Sequence, residues 1–439
     1  MRTYLAATAA AADATPIDRN RIVDLWRVVA IVVVVLGHWT VAAIWVKPDG
    51  DVALLSALEW VPYAAWVTWL VQVMPVFFLV GGYANARALR TVIVGEQRRR
   101  DWITIRTRRM WTPVTPLLLV WVVLIVILRI MLDPALVSSA SMSATVPLWF
   151  LAVYLTLTAA APLTHRWWRA WGPASVAALA ASVVLVDIAR FIGGVPGIGW
   201  LNFALVWAAV HQVGYWWADR DAGAGITSSA GWAIAGGALV VLVAITWAGL
   251  YPVAMLGVPG ESVTNFAPPT GALLMLGVVQ AGIIWGTAER AQRLMARPRA
   301  WHAVVSMSGV IMTIYLWHLS AMSLLAAVGL NVFDGSAFGL EPGTTAWWLT
   351  RPVWIGALLL VLAGLVAVFA RFEWRISRTA PPSTRRWVTV GVVLTAGSAG
   401  AVAIWGLTAR DGVINWSIPL AAVVGALIIG AVPTRRNSS

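Results

Sequence analysis

Apolar residues fall in long blocks along this chain, not in the short alternating or three-and-four patterns of a soluble fold. A helix that crosses a bilayer needs about 20 mostly apolar residues. Reading on that template predicts about twelve spans. They lie near 24–46, 63–84, 110–131, 146–164, 172–190, 200–217, 231–250, 270–288, 303–326, 346–370, 387–408 and 413–432. The first 18 residues, MRTYLAATAAAADATPID, hold a weak apolar run and are followed by a full-length span. A short tail is expected there, not a cleaved signal peptide.

Composition strengthens the membrane reading. Hydrophobic residues make up 60% of the 439 residues, charged residues 11%, and mean hydropathy is +0.81. A soluble domain carries roughly 25% charge. There are no cysteines, so disulfides, thiolate metal sites and a cysteine nucleophile are excluded. The net charge of +13 gains meaning from its placement. If the twelve spans alternate, 26 of the 31 basic residues face one side, while Lys47, Arg129, Arg190, Arg351 and Arg410 face the other. The acids divide nine and nine. Basic loops are retained in the cytoplasm. Both termini are therefore expected inside, with the chain multi-pass in a cytoplasmic membrane. An Arg-to-Lys bias of 30 to one hints at a high-GC, bacterial genome. Basic charge sorted in this way fits orientation and anionic lipids, not nucleic acid. The 29 tryptophans, many near helix ends, read as interfacial anchors.

Ionisable groups inside spans are costly, so each is a candidate for function. Arg129 with Asp133, and Asp187 with Arg190, are expected to pair locally at outer helix ends. His165 and His302 fall in or beside loops, where solvation suffices. His211 reads as a hydrogen-bonded structural residue. Three features remain. Arg27 and His38 are eleven residues apart, close to three turns, so they share one helix face about 16 Å apart along the axis. A neutral imidazole held in a membrane can accept a proton, although a core histidine satisfied by a carbonyl is the plain alternative. Arg106 and Arg109 share a face at the start of the third span, and guanidinium forks suit phosphate. Topological retention alone would also explain them. His318, in Tyr315-Leu-Trp-His318, lies within the ninth span. The sequence carries no GxSxG elbow, Walker A loop, HExxH or complete GxGxxG, and no cluster with metal-ligand spacing.

These residues together resemble the integral-membrane acyltransferases of acyltransferase family 3. Arg27 to His38 is similar to the family's Arg-x10-His signature, with Asp24 three residues before the arginine. Pro75-Val-Phe-Phe-Leu-Val-Gly-Gly-Tyr83 resembles the second-helix segment, Arg106-Thr-Arg-Arg109 with Pro113 the Arg-x-x-Arg element, and Leu148–Leu151 and Tyr315–His318 later segments. Gly81 stands where the family usually has serine, so any role of that hydroxyl does not carry over. The resemblance implies an all-α polytopic membrane protein: a tail at 1–18, a ten-helix acyltransferase core at 19–372, a basic linker at 373–386 and two further spans in 387–439. It implies transfer of an acyl group, most simply acetyl, from cytoplasmic acyl-CoA to a hydroxyl of a carbohydrate, glycolipid or similar cell-envelope acceptor. On that reading acyl-CoA is a co-substrate, and no cofactor or metal is permanently bound. Arg27, Arg106 and Arg109 would hold CoA phosphates. His38 would act as general base or acylated nucleophile. His318, Glu261 and Asn265 would lie towards the acceptor. A polytopic transporter or flippase of a lipid or small solute is the alternative from another class, although the two halves show no internal repeat.

Overall fold

The computed structural model describes residues 2–431 apart from 17, 60, 62, 93–95, 132, 224, 259–260, 334, 375–384 and 410. The expected linker is thus described only at its ends, and Arg410 and the tail 432–439 lie outside the described residues. Of the described residues, 77% are helical. In order run α1 (Arg2–Asp13), α2 (Arg21–Val41), α3 (Ala64–Val71), α4 (Met74–Val92), α5 (Glu96–Trp111), α6 (Val114–Met131), α7 (Pro134–Thr145), α8 (Leu148–Trp171), α9 (Pro173–Phe191), α10 (Asn202–Asp221), α11 (Ser228–Trp247), α12 (Gly271–Gly286), α13 (Ala288–Met295), α14 (Pro298–Ser308), α15 (Ile311–Asn331), α16 (Thr345–Trp374), α17 (Arg385–Trp405) and α18 (Ser417–Ile428). The fold is an all-α polytopic membrane protein.

Each of the twelve expected segments coincides with a helix, but they do not all qualify as spans. Among the described residues nine stretches are long and apolar enough to cross a bilayer, or ten if α12 and α13, bent by 55°, count as one. The helix α10 is not among them, because Asn202, His211 and Gln212 dilute its apolar character. All three are buried in protein and hydrogen-bonded, which is what makes them tolerable there. The helix α18 has only 12 residues, about 18 Å, against a hydrocarbon core of about 30 Å. The first span is also shorter than the apolar run. Its 21 residues already reach about 31 Å. The residues beyond form a hairpin of β1 (Ala42–Val46) and β2 (Val52–Ser56), antiparallel with Ala42 opposite Ser56 and Val46 opposite Val52. Pro48-Asp-Gly-Asp51 supplies the turn, with Gly50 at φ 89°.

The chain divides into two compact units. One comprises Met1–Thr91, Ala161–Ser308 and Ser336–Arg351; the other comprises Val92–Ala160, Gly309–Gly335 and Pro352–Ser439. Within the first, glycines let helices touch backbone to backbone. A Cβ on Gly231 would stand 2.3 Å from the Gly286 nitrogen, and one on Gly282 2.5 Å from the Ala235 nitrogen, along the α11–α12 contact. The N-terminal segment is more than a tail: α1 lies on α14. Trp301 Nε1 donates to the Ala12 carbonyl at 3.2 Å and to Thr15 Oγ1 at 3.0 Å. The hairpin packs on Trp347, and Arg351 donates to the Ala42 carbonyl.

In the second unit, α15 is fixed by three aromatic contacts. Trp121 Nε1 donates to Ser320 Oγ at 2.9 Å, Tyr315 donates to the Pro147 carbonyl at 2.9 Å, and Trp317 stacks on Phe369 at 3.9 Å. The helices α17 and α18 pack tightly, Gly391 against Ile429 and Gly425 against Thr395. In the first unit, adjacent tryptophans divide their work. Trp168 and Trp347 are core residues at 4% and 2% exposure, while Trp167 and Trp348 remain at 46% and 37%. Successive helical side chains point about 100° apart, so only one member of each pair keeps the anchoring position expected of it.

Candidate active site

Asn20 caps α2, its side chain accepting the Ile22 N–H at 3.0 Å. Asp24 follows in the first turn, where the helix dipole favours a negative charge. It is 5% exposed and lies between two arginines, Arg19 Nε at 2.7 Å and Arg27 at 3.3 Å. The hydrogen bond to Asp24 pushes the Arg19 pKa above its ordinary value. For Arg27, which keeps 31% of its side chain exposed, Asp24 fixes the direction of the guanidinium while engaging one of its five N–H donors. Arg21 anchors the same turn, donating to the Met295 carbonyl at 2.9 Å and lying over Trp301.

The helix runs unbroken from this cluster to His38, so the shared face and the axial separation of about 16 Å hold. His38 is half-buried in the last turn. Its ring is hydrogen-bonded to the Val34 carbonyl one turn back. A carbonyl only accepts, so the bonded ring nitrogen carries the proton. In neutral imidazole the other nitrogen is then the acceptor. This is the tautomer control a general base requires, and also the satisfaction a structural histidine would have.

The helix α4 bears the Phe-Phe-Leu-Val-Gly-Gly-Tyr segment against α10. A Cβ on Gly82 would come within 1.9 Å of the His211 carbonyl oxygen, and one on Gly214 within 2.2 Å of that of Leu79. Around the crossing, Phe78 stacks on Trp207 at 4.4 Å and Asn85 Nδ2 donates to His211 Nε2 at 3.1 Å. His211 is thus a buried structural histidine. Tyr83 donates to Asp221. Before α4 the chain leaves helical geometry at Gln72 and Val73, and the break is sealed by protein. Gln280 Nε2 donates to the Gln72 carbonyl at 2.7 Å, Gln72 Nε2 to the Met255 carbonyl at 2.9 Å, and the Met255 N–H to Thr68 Oγ1 at 2.8 Å.

Met255 belongs to the long loop between α11 and α12, which carries Glu261 and Asn265. Asn265 is fully buried and its amide is committed within the loop. It donates to the Pro252 and Ala254 carbonyls at 2.6 and 3.0 Å and accepts Thr270 at 2.7 Å. Glu261 is exposed. The loop's far end is held by Asp187, which is not the exposed partner of Arg190 expected from the sequence. Asp187 is 3% exposed and accepts Asn202 at 2.9 Å, Tyr251 at 2.8 Å and the Gly271 N–H at 2.7 Å, the last capping α12. Burial, then the Asp187 carboxylate, pushes the Tyr251 phenol up.

Arg106, Arg109 and His318 belong to the second unit. The two arginines lie on α5, a polar helix that ends at Trp111 before the apolar α6 begins. Arg106 lies over Trp102 at 5.4 Å. Arg109 is exposed, and its charge acts on Glu373. Glu373 in turn caps α15, accepting the Met312 and Thr313 N–H groups at 3.2 and 3.0 Å and the Thr313 hydroxyl at 2.8 Å. His318, fully buried on α15, donates from Nδ1 to the Tyr315 carbonyl at 2.6 Å; in a neutral imidazole with that tautomer the acceptor is Nε2.

Gln72, Gln280 and Glu373 have no part in the sequence expectations, and Asp187 and His165 take parts other than those expected of them. A polar residue inside an apolar block was the available signal for the first four. His165, expected to be solvated beside a loop, is 2% exposed and packs edge-on against Tyr215. Among the described residues no group of three or more His, Asp or Glu side chains is placed to hold a metal. Neither the curated proteins nor the solved structures contain a match to this chain. A family model described as an acyltransferase domain matches residues 20–370, a stretch containing the Asp24–Arg27–His38 face, Arg106, Arg109 and His318. The chain belongs to acyltransferase family 3, the integral-membrane acyltransferases.

Proposed function

We propose that this membrane acyltransferase moves an acyl group, acetyl in the simplest case, from cytoplasmic acyl-CoA to a hydroxyl of a cell-envelope carbohydrate, glycolipid or similar acceptor. The observation that carries the reading is the unbroken α2 helix, with an Asp24-oriented Arg27 at one end and a carbonyl-oriented His38 three turns away on the same face. Arg27 would meet a CoA phosphate, and the pantetheine arm would follow the helix to His38. From the second unit, Arg106 and Arg109 are the proposed phosphate ligands, by the fork chemistry of guanidinium. If the twelve apolar segments of the sequence alternate across the bilayer, their one-sided arginine excess supports a cytoplasmic place for this end and for both termini, and the bias of arginine over lysine supports a bacterial plasma membrane.

In the proposed step the unprotonated ring nitrogen of His38 takes the proton of the acceptor hydroxyl as its oxygen attacks the thioester carbonyl. The C–S bond breaks, and the CoA thiolate takes the proton back from the imidazolium. Acylation of His38 itself, followed by transfer to the hydroxyl, is the two-step version of the same chemistry. On the acceptor side, Glu261 is the exposed carboxylate of the long loop and His318 the second oriented histidine; Asn265 serves by holding the loop. General-base catalysis contributes about 10²–10⁴-fold. His38→Ala in purified, nanodisc-reconstituted protein should lower transfer from radiolabelled acetyl-CoA by that factor with folding unchanged. Full activity in the variant would remove His38 from the mechanism. Mass spectrometry of envelope lipids and glycans from a deletion strain would identify the acceptor by the missing acyl increment.

A further inference from the structure

Away from α2, the ends of four helices of the first unit line an open recess of about 480 Å³. Its volume is within the range of ligand pockets. The last turn of α4 supplies Arg90, α8 supplies His165, Trp168 and Arg169, α10 supplies Asp219 and Arg220, and α9 opens at Pro173. Three arginines therefore face one aspartate. That aspartate is already engaged: it pairs with Arg90 and accepts Trp168 Nε1 at 2.6 Å. These bonds tie α4, α8 and α10 together and build the wall. They leave the charges of Arg169 and Arg220 without an opposing acid in the lining. Arg220 packs over Trp216 at 5.8 Å.

Two more features point to an anion. The chain turns between α8 and α9 through Gly172 at φ 53°, which starts the 19-residue α9 at the recess and turns its positive end towards it. His165 is 2% exposed and lines the same wall, and its Nδ1 has no hydrogen-bond partner. Arginines retained merely for topology need only be solvated. These instead converge on a shaped recess with tryptophan walls.

We propose that this recess binds a phosphate monoester or diphosphate, gripped by Arg169 and Arg220 at the start of α9. None of its residues is assigned to acyl transfer, so the site stands independently of that reaction. Guanidinium forks and a helix N-terminus suit the tetrahedral oxyanion, which can come from a soluble phosphate or from a lipid headgroup.

The test uses the full chain in nanodiscs. In pure phosphatidylcholine discs, labelled pyrophosphate should bind the wild type. The Arg169→Ala/Arg220→Ala variant should bind at least about tenfold more weakly, and Arg293→Ala, outside the recess, should bind as the wild type does. If pyrophosphate does not bind, native mass spectrometry of discs containing phosphatidic acid should find that lipid retained by the wild type and lost from the double variant; this outcome assigns the site to a headgroup. Should the double variant not fold, Arg169→Gln and Arg220→Gln singly should each weaken whichever ligand binds by several-fold. Equal retention of both probes by wild type and variants, or retention of neither by the wild type, overturns the proposal.

Discussion

Gly82→Ala should damage the protein through packing alone, although alanine is the better helix former by about 1 kcal/mol. A methyl at this position would point at the His211 carbonyl oxygen from 1.9 Å, with the carbonyl carbon at 2.8 Å. A non-bonded carbon–oxygen contact needs roughly 3.2 Å, so α4 and α10 must part by about 1 Å or more. The obstacle is backbone inside a helix and cannot rotate away. Parting the helices also loosens the Phe78–Trp207 stack and the Asn85–His211 hydrogen bond. Overpacking of this kind costs typically about 1–3 kcal/mol, and the disturbed buried pair places the expected loss at the upper end. Gly236→Ala is the matched control. It is another mid-helix glycine, whose added Cβ would meet nothing within 4 Å, and it should leave the melting midpoint unchanged or slightly raised. Thermal unfolding of both variants in nanodiscs, followed by monodispersity on gel filtration, measures the difference. Equal midpoints for the two variants would refute the argument that close helix approach is what Gly82 provides.

Asn265→Ala removes three buried hydrogen bonds and leaves the Pro252 and Ala254 carbonyls without their donor. It should cost about 2–3 kcal/mol and show as proteolytic cleavage within residues 248–270 under conditions that leave the wild type intact. Arg106→Ala and Arg109→Ala should each weaken acyl-CoA binding by roughly tenfold, the worth of a charge-assisted contact at a partly exposed group. Unchanged binding isotherms would remove those residues from the donor site.

The hydropathy pattern located every helix that became a candidate span, because lipid and apolar sequence select each other directly. The Arg27–His38 relation was equally legible, since a helix fixes the angle between any two of its residues. Other features were hidden because apolar sequence does not distinguish a lipid neighbour from a protein neighbour. Ala42–Val46 read as the end of a span and became a strand once α2 had reached full length. Trp168 and Trp347 read as interfacial anchors and became core. His165 reads as solvated beside a loop, whereas it is buried against the Tyr215 ring of α10. Asp187 was expected to lean towards Arg190 one turn on, but α12 presented it with an uncapped N–H, a partner from a distant part of the chain.

The break in the α3–α4 segment restricts how this protein can move. Its neighbouring loop supplies the Met255 carbonyl to Gln72, the Met255 N–H to Thr68 and the Val253 carbonyl to Trp69. Lifting residues 252–255 would strand these groups in an apolar setting, at about 1–3 kcal/mol for each. An opened state would therefore hold well under one molecule in a hundred. Residues 252–255 act as a plug and not as a door. On the proposed mechanism, an acceptor would have to reach His38 by a route that leaves them seated.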